Sequence, residues 1–129
     1  AKAAIQLQQI FYRMTKYFIE NFNTANFLTE ALYHSKAASY FTNYRVQHFT
    51  FVRTLIEQAQ REGDICSDMN SYEIYTTLQS ILIQPIIIKN NILQQHKNEP
   101  LMDKLKLIDV SSESSLQKRL RVAFKGLRP

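Results

Sequence analysis

The sequence predicts an all-α protein, an antiparallel bundle of five to six helices. Three observations predict it. Apolar residues recur every three or four positions through most of the 129 residues. No stretch alternates apolar and polar residues as a half-buried strand does. Only two glycines and three prolines punctuate the chain, so long helical runs go uninterrupted.

Ile5, Leu7, Ile10, Phe11, Met14, Tyr17, Phe18 and Phe22 mark a first helix of about 20 residues with one broad apolar side. Asn21, Asn23, Thr24 and Asn26 compete for backbone hydrogen bonds and predict a turn. A second helix is expected over about 25–41, carried by Phe27, Leu28, Ala31, Leu32, Ala38 and Phe41. Thr42 and Asn43 predict another break. A third helix then covers about 44–62 through Val46, Phe49, Val52, Leu55, Ile56 and Ala59. Gly63 supplies the left-handed residue that ends it.

Asn70 stands three residues before Glu73, the spacing of a reciprocal helix cap, with Ser71 as a competing start. The fourth helix runs from there to about 91 through Ile74, Leu78, Ile81, Leu82, Ile86 and Ile92. Its middle is apolar on nearly all sides, which calls for a second covering surface. Pro85 lacks an N–H, so either a kink there or an end at Gln84 with a restart is expected. Positions 94–110 are polar and less periodic, with a short helix expected over 101–108. A last helix covers about 116–125, with Ser111, Ser112, Ser114 and Ser115 around its start and Gly126 at its end.

The length is that of one domain, 1–129. The formal charge is +5, and positions 97–129 carry eight Lys or Arg against four Asp or Glu. This balance permits contact with nucleic acid or an anionic surface without establishing either. One cysteine, Cys66, excludes an internal disulfide and fits a reducing, cytoplasmic setting. The most apolar run, 81–88, is too short to span a bilayer, so no membrane partner is expected.

Nothing in the chain spells out chemistry. His34, His48 and His96 are scattered, and no paired metal-ligand spacing occurs, so neither a metal nor a cofactor is expected. Cys66 lies between Asp64 and Asp68, whose charges disfavour a thiolate. Two glycines cannot build a phosphate-cradling loop. An enzyme is therefore not expected. Lys118, Arg119 and Arg121 could meet phosphates, but cations near a helix C-terminus also suit its dipole.

The seven tyrosines and eight phenylalanines are the better lead. Tyr12, Tyr33, Tyr40, Tyr44, Tyr72 and Tyr75 combine apolar rings with hydroxyls, suited to a small apolar or amphipathic compound. His34 and His48 add polar contacts. The candidate ligand-binding set is Tyr12, Tyr33, His34, Tyr40, Tyr44 and His48. Whether these rings line a cavity or fill a core stays open on the sequence.

From Phe51 onward, FVRTLIEQAQREGDICSDMNSYEIYTTLQSILIQPII resembles the C-terminal regulatory domain of TetR-type transcriptional repressors. Gly63, Asp64 and Ile65 match that family's turn after a long helix. Asp68, Asn70 and Glu73 match the start of the next helix. The ending LQKRLRVAFKGLRP resembles the family's last helix, including the closing Gly126–Leu127 pair. The resemblance implies an effector-sensing domain that forms homodimers through two helices per subunit, here about 70–93 and 113–126. It places Leu78, Ile81, Leu82, Ile86, Leu116, Leu120 and Phe124 at the dimer interface. It also implies DNA binding through an N-terminal helix–turn–helix domain, which this sequence does not contain. The sequence opens at Ala1, already in a helical pattern; either it is part of a longer chain that carries that domain, or the protein never had one, in which case repression by direct DNA binding fails. The competing expectation is a helical homodimeric interaction module with no small-molecule effector.

Overall fold

The computed structural model describes residues 2–21, 35–95, 100, 103 and 108–129, with the side chains of 35–45, 91, 94 and 95 outside the description. The described residues form five helices and no strand. They are α1 (Ala3–Glu20), α2 (Ser35–Arg61), α3 (Ser71–Leu82), α4 (Gln84–Gln95) and α5 (Glu113–Gly126). The expected helix over 25–41 falls in its first part outside the described residues, as does most of the short helix expected over 101–108.

In α1 the buried side is Ala4, Leu7, Phe11, Thr15 and Phe18, a strict three-and-four stripe. Ile5 and Tyr17 lie beside this stripe, about half exposed. Thr15 is the buried polar residue here, and its hydroxyl donates to the Phe11 carbonyl at 2.7 Å, which satisfies it inside the helix. Asn21 caps the other end through its side-chain amide on the Tyr17 carbonyl at 2.8 Å.

The backbone of α2 continues through Thr42 and Asn43, where a break was expected. Thr and Asn disfavour a helix by only a few tenths of a kcal/mol each, less than the packing of a 27-residue helix supplies. Its end is a Schellman motif. Gly63 N–H donates to the Gln60 carbonyl at 3.1 Å and Asp64 N–H to the Ala59 carbonyl at 3.0 Å. Gly63 has φ +82°, the left-handed region that a side chain disfavours. Ile65 then turns back into the core. Gln60 holds the following loop, its Nε2 donating to the carbonyls of Cys66 and Met69 at 3.0 and 2.8 Å.

The reciprocal cap at the start of α3 is formed. Glu73 N–H donates to Asn70 Oδ1 at 2.9 Å, and Asn70 N–H donates to Glu73 Oε1 at 3.0 Å. At Pro85 the chain takes the restart rather than the kink. Helix α3 ends at Leu82, Ile83 bridges, and α4 begins at Gln84. Pro85 thus occupies a first-turn position, where no N–H is required. Ser112 caps α5 by accepting from Ser115 N–H at 3.1 Å.

Helix α3 is the hub, packing against each of the other four, while α1 rests on α2 and α5 as well. The core is one cluster built from Leu7 and Phe11 of α1, Val52 and Ile56 of α2, Ile74, Tyr75, Leu78 and Leu82 of α3, and Leu116 and Ala123 of α5. Residues expected at a dimer face lie in this interior. Leu78, Leu82 and Leu116 are fully buried within one subunit, Ile86 is 1% exposed, and Leu120 and Phe124 are 8% exposed. The reason is geometric: Leu78 and Leu82 of α3 and Leu116, Leu120 and Phe124 of α5 sit where α3, α5 and α1 pack on one another. Only Ile81 of that set keeps partial exposure. Their outward neighbours Ile88 on α4 and Val122 on α5 are 48% and 62% exposed.

Candidate functional site

The strongest concentration of chemistry lies where α1, α2 and α3 meet. Tyr75 of α3 is 1% exposed, and its hydroxyl sits 2.6 Å from His48 Nδ1 on α2. Gln79, one turn further along α3, donates its Nε2 to the same hydroxyl at 3.0 Å. Tyr75 Oη accepts from Gln79; toward His48 it donates when Nδ1 is unprotonated and accepts when Nδ1 carries the proton. Burial lowers the His48 pKa, in keeping with a neutral ring.

Aromatic rings enclose this polar array. Phe11 meets Tyr75 edge-on at 6.1 Å between centroids and His48 at 6.3 Å. Phe49 meets Tyr75 at 5.3 Å and Tyr72 at 5.4 Å. These are favoured edge-to-face arrangements.

Of the six candidate ligand residues, His48 belongs to this cluster. Tyr12 does not. It lies on the side of α1 toward α5, where its hydroxyl donates to Glu113 Oε1 at 2.7 Å. Lys16 Nζ joins the other Glu113 oxygen at 3.2 Å. The hydrogen bond from Tyr12, then those from Gln117 and Lys16, hold the Glu113 carboxyl below its usual range. Tyr33 and His34 lie outside the described residues. Tyr40 and Tyr44 are carried by α2, with their side chains outside the description.

No family model matches the chain, and neither a curated protein nor a solved structure does.

Sequence reasoning undervalued Tyr75 and Gln79. Their four-residue spacing puts them one above the other on a helix, and Tyr75 shares a side with Leu78 and Leu82. That was the available signal for an inward tyrosine with a polar neighbour. It also misread Arg119. This guanidinium leaves the solvent face and donates Nη1 to the carbonyls of Ile81 and Leu82 at 3.0 and 2.6 Å. A second nitrogen donates to the Val110 carbonyl. Lys118 and Arg121 remain exposed.

Cys66 is half-buried in the α2–α3 loop, and burial followed by Asp68 raises its thiol pKa. That environment disfavours a nucleophilic thiolate. Among the described residues no group of three His, Cys, Asp or Glu side chains could hold a metal ion. Among the same residues no helix is long and apolar enough to cross a membrane.

Proposed function

We propose that this chain is the effector-sensing and homodimerisation domain of a TetR-like transcriptional repressor. A small apolar or amphipathic compound would bind beside His48 and alter DNA affinity through an N-terminal helix–turn–helix domain. The observation that carries the reading is the His48–Tyr75–Gln79 array, a polar group set among aromatic rings at the junction of three helices. Further support comes from the turn at Gly63 and the cap at Asn70 and Glu73, the residues on which the family resemblance rests.

The effector acts by population shift. A compound that prefers one helix arrangement tenfold couples to it by about 1.4 kcal/mol. Because α1, α2 and α3 all contribute to the cluster, a compound wedged there changes how they pack. The test is a thermal-shift screen of amphipathic aromatic and aliphatic compounds against the wild type and His48→Leu. A compound that raises the melting temperature of the wild type and not of the variant supports the sensor. A screen in which no compound separates the two proteins overturns it.

The second reading is a homodimeric interaction module without an effector. The mutual edge-to-face contacts of Phe11, Phe49 and Tyr75 favour it, since rings that satisfy one another fill a core. Both readings require a dimer. Replacing Ile88 and Val122 with Glu would yield monomers by sedimentation if α4 and α5 meet their copies; an unchanged dimer would move the interface elsewhere. Ile86→Glu is a poor test, because it charges a side chain that is 1% exposed in one subunit.

A further inference from the structure

We infer that the groove between α1 and α5 is a docking surface for an acidic peptide segment of a partner protein. This surface lies outside the His48 cluster and goes beyond the sensor reading. Two clefts of about 550 and 420 Å³ adjoin along α1, with Ile5 and Gln8 lining both, and together make the groove. Its floor is mixed. Ile5 stands 47% exposed in the middle, with Leu120 and Phe124 of α5 below it. The amides of Gln8, Gln9 and Gln117 supply hydrogen-bonding groups that suit a peptide backbone.

Charge identifies the occupant. At one end Lys2 pairs with Asp64 at 4.0 Å, and at the other Lys16 pairs with Glu113 at 3.2 Å. Each carboxylate thus has a lysine beside it, Glu113 in a hydrogen-bonded pair and Asp64 at a longer separation. Arg13 and Arg128 line the groove between them. Arg121 lies one turn of α5 beyond Gln117, next to the groove. All three arginines are exposed, and among the described residues none forms an ion pair or a side-chain hydrogen bond. Guanidinium forks left without partners match carboxylates in two-pronged geometry.

The apolar floor and the closed ends favour a short peptide over a nucleic acid. A run of phosphates has nothing to place against the exposed Ile5 side chain, whereas a short peptide can set an apolar residue there and its carboxylates on Arg13 and Arg128. The eleven helical steps from Lys2 to Arg13 span about 16 Å. That is the length of about five extended residues. Glutamates near both ends and one apolar side chain over Ile5 satisfy the groove.

The test is fluorescence anisotropy of the whole chain at low salt. The probe is a labelled peptide of about eight glutamate and leucine residues, long enough to span the groove with overhang. Controls are the same peptide with glutamine for glutamate and a single-stranded oligonucleotide of matched length. Arg13→Glu with Arg128→Glu should weaken peptide binding by about tenfold or more. Lys118→Glu with Lys125→Glu makes the same change in net charge off the groove and should leave binding within about twofold. Ile5→Ser should weaken binding as well. The inference is overturned if the two double variants weaken binding equally, or if the glutamine peptide binds as well. It is equally overturned if the oligonucleotide binds more tightly through the same arginines, or if the acidic peptide does not bind. All five substituted positions are exposed, and far-UV circular dichroism checks that each variant keeps its helices.

Discussion

The Tyr75 hydroxyl serves two partly buried neighbours at once, accepting from Gln79 and facing His48 Nδ1. Burial lowers the His48 pKa. The unfolded chain therefore takes up a proton at this residue more readily than the folded one. The resulting stability is fully present above the unfolded pKa of about 6.5 and is lost as pH falls toward the lower folded value. Urea unfolding between pH 8 and pH 5 should show this decline, and His48→Gln should flatten it. A slope unchanged by the substitution would assign the pH dependence to other groups. Tyr75→Phe removes the shared hydroxyl and strands two partly buried polar groups, at a cost of about 1–3 kcal/mol in the same assay.

At the scale of the element, the break between α3 and α4 shows a distant side chain repairing a local defect. Pro85 has no N–H to offer the Ile81 carbonyl four residues earlier. The Ile86 N–H bonds to Ile83 instead of Leu82. Arg119, 38 and 37 residues away, donates to both abandoned carbonyls and places a cation at the C-terminal end of α3. Arg119→Met should cost about 1–3 kcal/mol, because buried carbonyls lose a charged donor. Adding Pro85→Ala should recover part of that loss, since alanine restores an N–H toward Ile81; two additive penalties would refute the coupling. This junction also marks how far the fold was legible. Gly63 and the Asn70–Glu73 cap could be read because their partners lie within a few residues. The break expected at Thr42 and Asn43 failed because weak propensities lose to packing along a long helix. The role of Arg119 had no local signature, and its spacing along α5 resembled that of its exposed neighbours.

On the scale of the whole molecule, adjacent residues of α1 divide its two sides. Phe11 points into the core, where it meets His48 of α2 and Tyr75 of α3. Tyr12 points toward α5 and closes the clasp with Glu113. Counting tyrosines found candidates but could not separate the inward ring from the outward one. A step of one residue rotates a side chain by about 100°. The resemblance put Leu78 and Leu116 at an interface between copies, and both are fully buried within one subunit. The clasp makes its contribution at neutral pH and loses it as pH drops below about 4.3, through the lowered Glu113 value. Tyr12→Phe removes the leading cause of that lowering, so carboxyl NMR should find the Glu113 pKa raised while the core stays intact. Phe11→Ala tests the opposite side. It opens a cavity where three helices converge and should cost about 3–5 kcal/mol. Since α3 touches every other helix, the loss should propagate as one cooperative transition. Near-UV and far-UV circular dichroism should then fall together in urea, at a lower midpoint and with an unchanged slope. Two separated transitions would mean that α1 and α5 hold together without the aromatic junction, and the single-core account would fail.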